Sequence, residues 1–280
     1  MTSGCVSEVC SQLLRLWPSR EGTPLALIQT KDSENIATIA FDHYSKRNAL
    51  SAALIAETIA ALEQFKAKRV RAVILRSAAN EKVWSAGHDV SGLPKADIDP
   101  LPYSSPLEEL LRAIKAFPAP VIAMVHGSVW GGACELVMSC DLVFGDETCT
   151  FAITPAKLGL PYNVEGLLNF LRRVPLTIAK EMFFSAEPIS AQRAERVGII
   201  NELVPEANLE TRVYALAKTI AIRSPRAISA SKEAMNVLSE AVAINPSTFE
   251  RLQGLRRDVY FGPDYYEGIR AFLEKRSAKF

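Results

Sequence analysis

The chain has 280 residues, 49% hydrophobic and 22% charged, with a formal net charge of +1. That length suits one large domain or a domain with a smaller appendage, and the near-balance of charge gives no electrostatic case for nucleic acid or an anionic membrane surface. The five cysteines (Cys5, Cys10, Cys134, Cys140 and Cys149) are odd in number with no CxxC pair, which supports neither a disulfide framework nor a zinc site and favours a reducing, cytoplasmic setting.

No apolar run reaches membrane-spanning length. Residues 1–23 lack the continuous apolar core of a secretory signal, and Glu8 and Glu21 fit an acid-poor transit peptide badly. Val6, Val9, Leu13, Leu14 and Trp17 recur at helical spacing, so this extension reads as a short amphipathic or frayed terminus. Leu25–Thr30 and Ile36–Phe41, flanking a polar turn at Lys31–Asn35, predict a β-hairpin. Ser51 is placed to cap a helix running to about Lys66, with Ile55, Ile59, Leu62 and Phe65 on one face. The basic cluster Lys66, Lys68, Arg69 and Arg71 reads as its solvated end. Val70–Leu75 follows as a strand, then a Pro-rich loop over 94–106 and a helix over Leu107–Phe117. Pro120–Val125 is the next strand, Ala133–Ser139 a helix, and Leu142–Gly145 and Thr150–Ile153 short strands. Alternating strands and helices predict an α/β core, 24–207, with parallel pairing. After a last strand at Asn201–Val204, residues 208–280 read as helices only: Leu209–Arg223, Pro225–Ala243, Ser247–Tyr260 and Pro263–Lys275. Their apolar faces require cover, from the core or from another subunit.

Two turns rich in small residues stand about 45 residues apart, each after an apolar strand. The first is Ser85-Ala86-Gly87-His88-Asp89, the second Gly127-Ser128-Val129-Trp130-Gly131-Gly132-Ala133. Small residues let backbone N–H groups approach a ligand closely, and Gly131-Gly132 opens a helix whose first amides lack internal partners. Two such amides converging on one oxygen form an oxyanion hole. A purely structural reading, tight packing of helix on strand, fits the glycines alone equally well.

Taken with Glu135 in the helix start, these turns resemble the crotonase (enoyl-CoA hydratase/isomerase) superfamily. Lys46-Arg47-Asn48-Ala49-Leu50 is similar to the early segment along which that family lays the CoA chain. Trp84–Asp89, Gly127–Ala133, Thr154-Pro155, Leu158–Asn163 and Phe272–Arg276 are most similar to its methylmalonyl-CoA decarboxylase branch. The resemblance, from about residue 25 to the C-terminus, implies a ββα spiral core and a helical trimerisation segment, in a homotrimer or hexamer. It implies an acyl-CoA thioester substrate whose carbonyl sits between the His88 and Gly132 N–H groups. Ala86, Gly87, His88, Asp89, Val90 and Gly132 would line the thioester, Thr154 would lie by the acyl group, and Lys275 would reach the CoA phosphates. No metal or other cofactor is implied, CoA being part of the substrate.

Within that family, hydration of an enoyl thioester needs two carboxylates about one water. Glu135 occupies the first position; twenty residues on, the second is Pro155, which is neither acid nor base. Decarboxylation of a malonyl-type thioester asks only for a held enolate oxygen and an oriented carboxylate, and Tyr162 is the candidate for orienting it. A buried Tyr bonded to a backbone carbonyl is the plain alternative. For Glu135 the sequence leaves catalysis and a helix-start hydrogen bond both open. Cys134 reads as packing, His43 and His126 as structural, and Asp89 and Asp141 as turn or cap residues. The expected activity is conversion of methylmalonyl-CoA to propionyl-CoA, and of malonyl-CoA to acetyl-CoA. An enoyl-CoA hydratase or isomerase using Glu135 alone, and a non-catalytic acyl-CoA- or RNA-binding homologue, remain the alternatives; the near-neutral charge argues against RNA.

Overall fold

The computed structural model describes residues 26–79, 81–93, 98–241 and 244–280. The N-terminal extension, Cys5, Cys10 and Leu25 lie outside the described residues. β1 (Ile28–Ser33) and β2 (Ile36–Phe41) pair antiparallel, Ile28 opposite Phe41. The expected turn over 31–35 is shorter: β1 runs to Ser33, and only Glu34 (φ 52°) and Asn35 (φ 62°) make the connection. Two successive left-handed residues match the twist of a hairpin.

Helix α1 (Ala52–Ala67) starts where the cap predicts, the Leu54 N–H donating to Ser51 Oγ at 3.3 Å. The chain then climbs a spiral. β3 (Ala72–Ser77), β4 (Val83–Ser85) and α2 (Pro106–Lys115) form one turn, and β5 (Val121–Val125), β6 (Ser128–Trp130) and α3 (Gly132–Ser139) the next. β7 (Leu142–Gly145) and β8 (Thr150–Ala152) begin the third, which closes on a 3-10 turn at Pro155–Leu158. Each turn gives its first strand to one sheet and its second to another. The six-stranded sheet has the order β1-β2-β3-β5-β7-β10 and the four-stranded sheet β4-β6-β8-β9. β10 is Glu202–Leu203 and β9 is Ile189–Ser190. β2, β3, β5 and β7 run parallel, and β5 is buried at every residue. Unbroken apolar runs, rather than alternation, are what a parallel sheet covered on both faces requires.

Three short helices fill the stretch from 160 to 200, which the sequence reading left unassigned: α4 (Val164–Leu171), α5 (Leu176–Ser185) and α6 (Ala191–Arg196). The four C-terminal helices are α7 (Glu206–Ala221), α8 (Pro225–Glu240), α9 (Pro246–Tyr260) and α10 (Pro263–Leu273), with Pro225, Pro246 and Pro263 in their first turns, where a missing N–H costs nothing. α7 lays Leu209, Val213 and Ala217 on Ile36, Ile74, Ile122 and Met124, covering the outer face of the six-stranded sheet. Tyr260, Tyr265 and Ile269 of α9 and α10 close over Leu93 and Leu101. On α8 and α9, Met235, Leu238 and Leu255 remain exposed.

Candidate active site

The first turn is held by the segment Lys46–Leu50. The Ala86 N–H donates to Arg47 O at 2.9 Å, and the Leu50 N–H to Gly87 O at 2.8 Å. Buried Asn48 donates from Nδ2 to Trp84 O and Ser77 Oγ, and Ser85 Oγ donates to Asn48 O. Leu50 thus makes a parallel bridge to His88, bonding the peptide groups on either side of it. Alternate amides in an extended chain face opposite ways, so the His88 N–H points away from Leu50, toward the second turn.

That second turn depends on Gly131, whose φ of 51° and ψ of −122° suit glycine alone. Its N–H donates to Ala152 O at 2.8 Å, which leaves Gly132 as the first residue of α3 with an N–H that has no intrahelical acceptor. The turns meet. A Cβ built on Gly132 would lie 3.5 Å from His88 N, and one built on Gly87 would lie 3.2 Å from Gly132 N. Both amides border one cavity of about 530 Å³, a size suited to a small-molecule ligand. Its walls are largely apolar, with Leu101, Leu107, Leu160 and Phe272 among them.

The cavity gathers most of the residues singled out by sequence: Ala86, His88, Asp89, Val90, Gly132, Glu135, Thr154 and Tyr162 all line it. Gly87 is buried beneath the turn against Trp130 O instead. Lys275 is exposed and does not line the wall; Phe272, whose carbonyl accepts its N–H, does. Asp89 accepts from Ser91 N–H and Oγ as a turn residue, and that bonding lowers its pKa. Asp141 is more than a cap, since it ion-pairs buried Lys232 at 2.7 Å. His126 bonds Ala79 O through Nε2. Cys134, Cys140 and Cys149 are buried, and burial pushes their thiols up, away from reactivity.

Glu135 is 3% exposed. Burial first, then the neighbouring Glu108, raises its pKa to about 7. Asn169 Nδ2 donates to Glu135 Oε1 at 3.0 Å, and Lys115 Nζ donates to Asn169 Oδ1 at 2.6 Å, fixing the amide's orientation. The Tyr162 hydroxyl oxygen is buried and meets the geometry of no hydrogen bond among the described residues. Burial, and then the Glu135 carboxyl beside it, push its pKa well up. Its ring is fixed edge-on against Phe170 and Phe183. Thr154 lies against Gly131, its Oγ1 3.2 Å from where a Cβ there would sit. The His88 imidazole is kept neutral by burial, which outweighs the pull of Asp89.

The chain matches the enoyl-CoA hydratase/isomerase family over residues 31–280. It belongs to that family. It is 46% identical over 245 residues to the methylmalonyl-CoA decarboxylase of Escherichia coli, covering 88% of this chain and 94% of that one. It is 31% identical to the human mitochondrial enoyl-CoA hydratase domain-containing protein 3, covering 87% of this chain and 80% of that one. Among solved structures, methylmalonyl-CoA decarboxylase in complex with 2-nitronate-propionyl-CoA superposes with a TM-score of 0.89 at 44% identity, covering 91% of this chain and 98% of that one.

For an enoyl-CoA hydratase/isomerase family member, one residue of the cavity is unforeseen. Pro155 does occupy the wall where hydration would want a second carboxylate, but Glu108 of α2 supplies one from another element. Glu108 is 5% exposed, accepts a hydrogen bond from Asn163 Nδ2, and has its pKa raised, chiefly by burial. The sequence reading missed it because Ser105-Pro106-Leu107-Glu108 has the form of a capping box, and the Glu108 N–H is indeed capped by Ser105 Oγ. The available signal was its helical face, shared with Leu111 three residues on.

The Glu135 carboxyl makes a pH prediction. Folding raises its pKa from 4.5 to about 7, so between those values the folded chain binds more protons than the unfolded one. Stability contributed by the neutral carboxyl is full below pH 4.5 and falls as pH rises to 7. Glu135→Gln is therefore expected to be more stable than the parent at pH 8, by on the order of 3 kcal/mol, and similar to it at pH 4. Denaturant midpoints at the two pH values check this; equal offsets at both would refute it.

Proposed function

We propose that this protein decarboxylates methylmalonyl-CoA to propionyl-CoA, and malonyl-CoA to acetyl-CoA by the same route. The observation that supports the reading is that His88 and Gly132, their backbone nitrogens brought close by the two turns, line one acyl-sized cavity, in a chain 46% identical to a methylmalonyl-CoA decarboxylase. The thioester oxygen accepts from both N–H groups. The substrate carboxylate stands perpendicular to the thioester plane, so that the breaking C–C bond overlaps the carbonyl π system. As CO₂ leaves, that electron pair becomes the enolate, and its charge collects on the oxygen the amides already hold. Preorganised donors of this kind each contribute about 3–4 kcal/mol. The step needs no metal or other cofactor.

Tyr162, whose hydroxyl stands beside the Glu135 carboxyl, orients the departing carboxylate. Ala86, His88, Asp89 and Val90 line the thioester, Thr154 borders the acyl group, and Lys275, beyond Phe272 at the rim, meets the CoA phosphates. The helices over 208–280 assemble the chain into a homotrimer or hexamer, supported by the exposed Met235, Leu238 and Leu255. Among the described residues no helix is long and apolar enough to cross a membrane, and we assign the protein to the cytoplasm.

Purified protein given methylmalonyl-CoA and nothing else is expected to release CO₂; no release would remove the reading. Tyr162→Phe is expected to lower kcat by about tenfold, the scale of one lost hydrogen bond to a charged group, with fold and CoA affinity kept. Unchanged turnover would take Tyr162 out of the mechanism. One observation favours a second reading: Glu108 and Glu135 together give the cavity the two carboxyls that hydration requires. Hydration of crotonyl-CoA without any CO₂ release from methylmalonyl-CoA would establish that reading instead.

A further inference from the structure

An enolate left by CO₂ must gain a proton at its α-carbon, and few groups of the cavity can give one. The His88 imidazole is held neutral, and its buried Nδ1 has no partner among the described residues. The Tyr162 phenol is a weaker acid than usual. Glu135 accepts from Asn169, itself fixed by Lys115, and has the Tyr162 hydroxyl against its carboxyl as well.

Glu108 is differently placed. It sits in the first turn of α2, and Leu107 beside it reaches within 2.9 Å of where a Gly132 Cβ would stand. That turn therefore abuts the oxyanion amide. The α-carbon is one bond from the carbonyl that this amide would hold, so a carboxyl on the turn is beside it. Glu108 Oε1 accepts from Asn163, which leaves Oε2 to carry a proton.

We propose that Glu108 is the acid that protonates the α-carbon, an assignment that rests on the decarboxylase reading. Two carboxyls in one apolar cavity disfavour double ionisation, and a substrate bringing its own carboxylate strengthens that bias. The carboxyl pair thus keeps a proton when the substrate binds, and on this assignment Glu108 Oε2 carries it. The balance is simple. The C–C electron pair passes to the enolate as CO₂ departs. The carbonyl re-forms, and the α-carbon takes the proton from Glu108 Oε2. The Glu108 carboxylate regains a proton from solvent as product leaves, so each CO₂ released consumes one proton.

The test is turnover of methylmalonyl-CoA in D₂O, reading kcat and the configuration of the C2-deuterated propionyl-CoA. The parent enzyme is expected to give one enantiomer. Glu108→Gln, which keeps the acceptor for Asn163, is expected to lose about 100-fold in kcat and to give a racemic product, with KM little changed. Glu108→Asp is expected to keep the configuration with a smaller loss. If Glu108→Gln does not fold, judged by circular dichroism, Glu108→Ala with added formate replaces it, and at least tenfold recovery of kcat is expected. A single unchanged enantiomer from Glu108→Gln, whatever its rate, overturns the assignment while leaving decarboxylation intact. A racemic product from the parent, or no formate recovery where that arm is used, does the same. A parent enzyme that releases no CO₂ removes the underlying reading, and the assignment falls with it.

Discussion

Gly87→Ala is expected to lower kcat for decarboxylation by about 100- to 1000-fold while the chain still folds. Gly87 does not touch the cavity. It sits where the two turns press together, at φ 83°, and a Cβ there would lie 2.2 Å from Trp130 O, 3.1 Å from Trp130 C and 3.2 Å from Gly132 N. All three contacts are backbone, held by sheet pairing and by the start of α3, so no side chain can swing aside. The turns must separate, and the His88 and Gly132 amides must splay. Losing one oxyanion donor costs roughly that factor, whereas the left-handed strain itself amounts to about 1–3 kcal/mol, which a folded chain of this size survives. Two neighbours calibrate the result. Gly132→Ala is crowded only by Leu107 Cδ2 at 2.9 Å, the end of a flexible side chain, with His88 N and Cβ at ordinary contact distances of 3.5 and 3.6 Å, and keeps its N–H, so its loss is expected to be smaller. Gly92→Ala meets nothing within 4 Å and should be silent. Single-turnover rates and the affinity of a non-reacting CoA thioester, measured on all three variants, decide the matter. Gly87→Ala turning over as fast as Gly92→Ala would end the claim that these amides hold the reacting oxygen.

This contrast explains what could be read from the chain beforehand. The two turns were legible because their chemistry is carried by main-chain amides, and glycine at 87, 131 and 132 marks where backbone must come close. The apolar runs of β2, β3 and β5, the cap at Ser51 and the first-turn proline at Pro225 were legible because strand and helix periodicity and helix-start chemistry are local properties. The stretch from 160 to 200 was not, since α4 and α6 are short and take their order from contacts with α3 and β8 rather than from propensity. Glu108 escaped for a related reason. A glutamate three residues after a serine satisfies a local rule, and nothing in sequence tells that its side chain is buried beside Glu135. Pro155 brings no acid or base to its own position, yet the second carboxyl comes from a different element altogether. Packing of α2 on α3 brings Glu108 to Glu135, and no local pattern encodes that contact.

The same dependence on non-local contacts makes α8 a test of how firmly the C-terminal helices belong to the catalytic core. Lys232, its side chain 7% exposed, donates from Nζ to Asp141 Oδ2 at 2.7 Å, to Ile114 O at 3.1 Å and to Ala119 O at 3.2 Å. Asp141 in turn accepts the Val121 N–H at 2.7 Å, at the head of β5. Lys232→Ala leaves a carboxylate and two carbonyls facing a void, and stripping one partner from a buried ion pair costs about 3–5 kcal/mol. Asp141 keeps 23% of its side chain exposed, which places the expected loss near the lower figure and the fall in Tm at roughly 6–12 °C. Lys232→Met with Asp141→Asn keeps an acceptor for Val121 and removes both charges, so the double variant is expected to lose less than the two single losses added, by at least about 1 kcal/mol. Additive losses in denaturant titrations would show that the pair contributes nothing. The consequence extends to the site. Asn236 of α8 donates to Lys115 O at 3.3 Å, and Glu240 meets Lys115 Nζ at 3.5 Å. Through Asn169, Lys115 holds the amide that steadies Glu135. Loosening α8 by Lys232→Ala is therefore expected to shift the pH dependence of kcat as well as the melting temperature, whereas a helix serving only to join subunits would change assembly and leave that profile where it was.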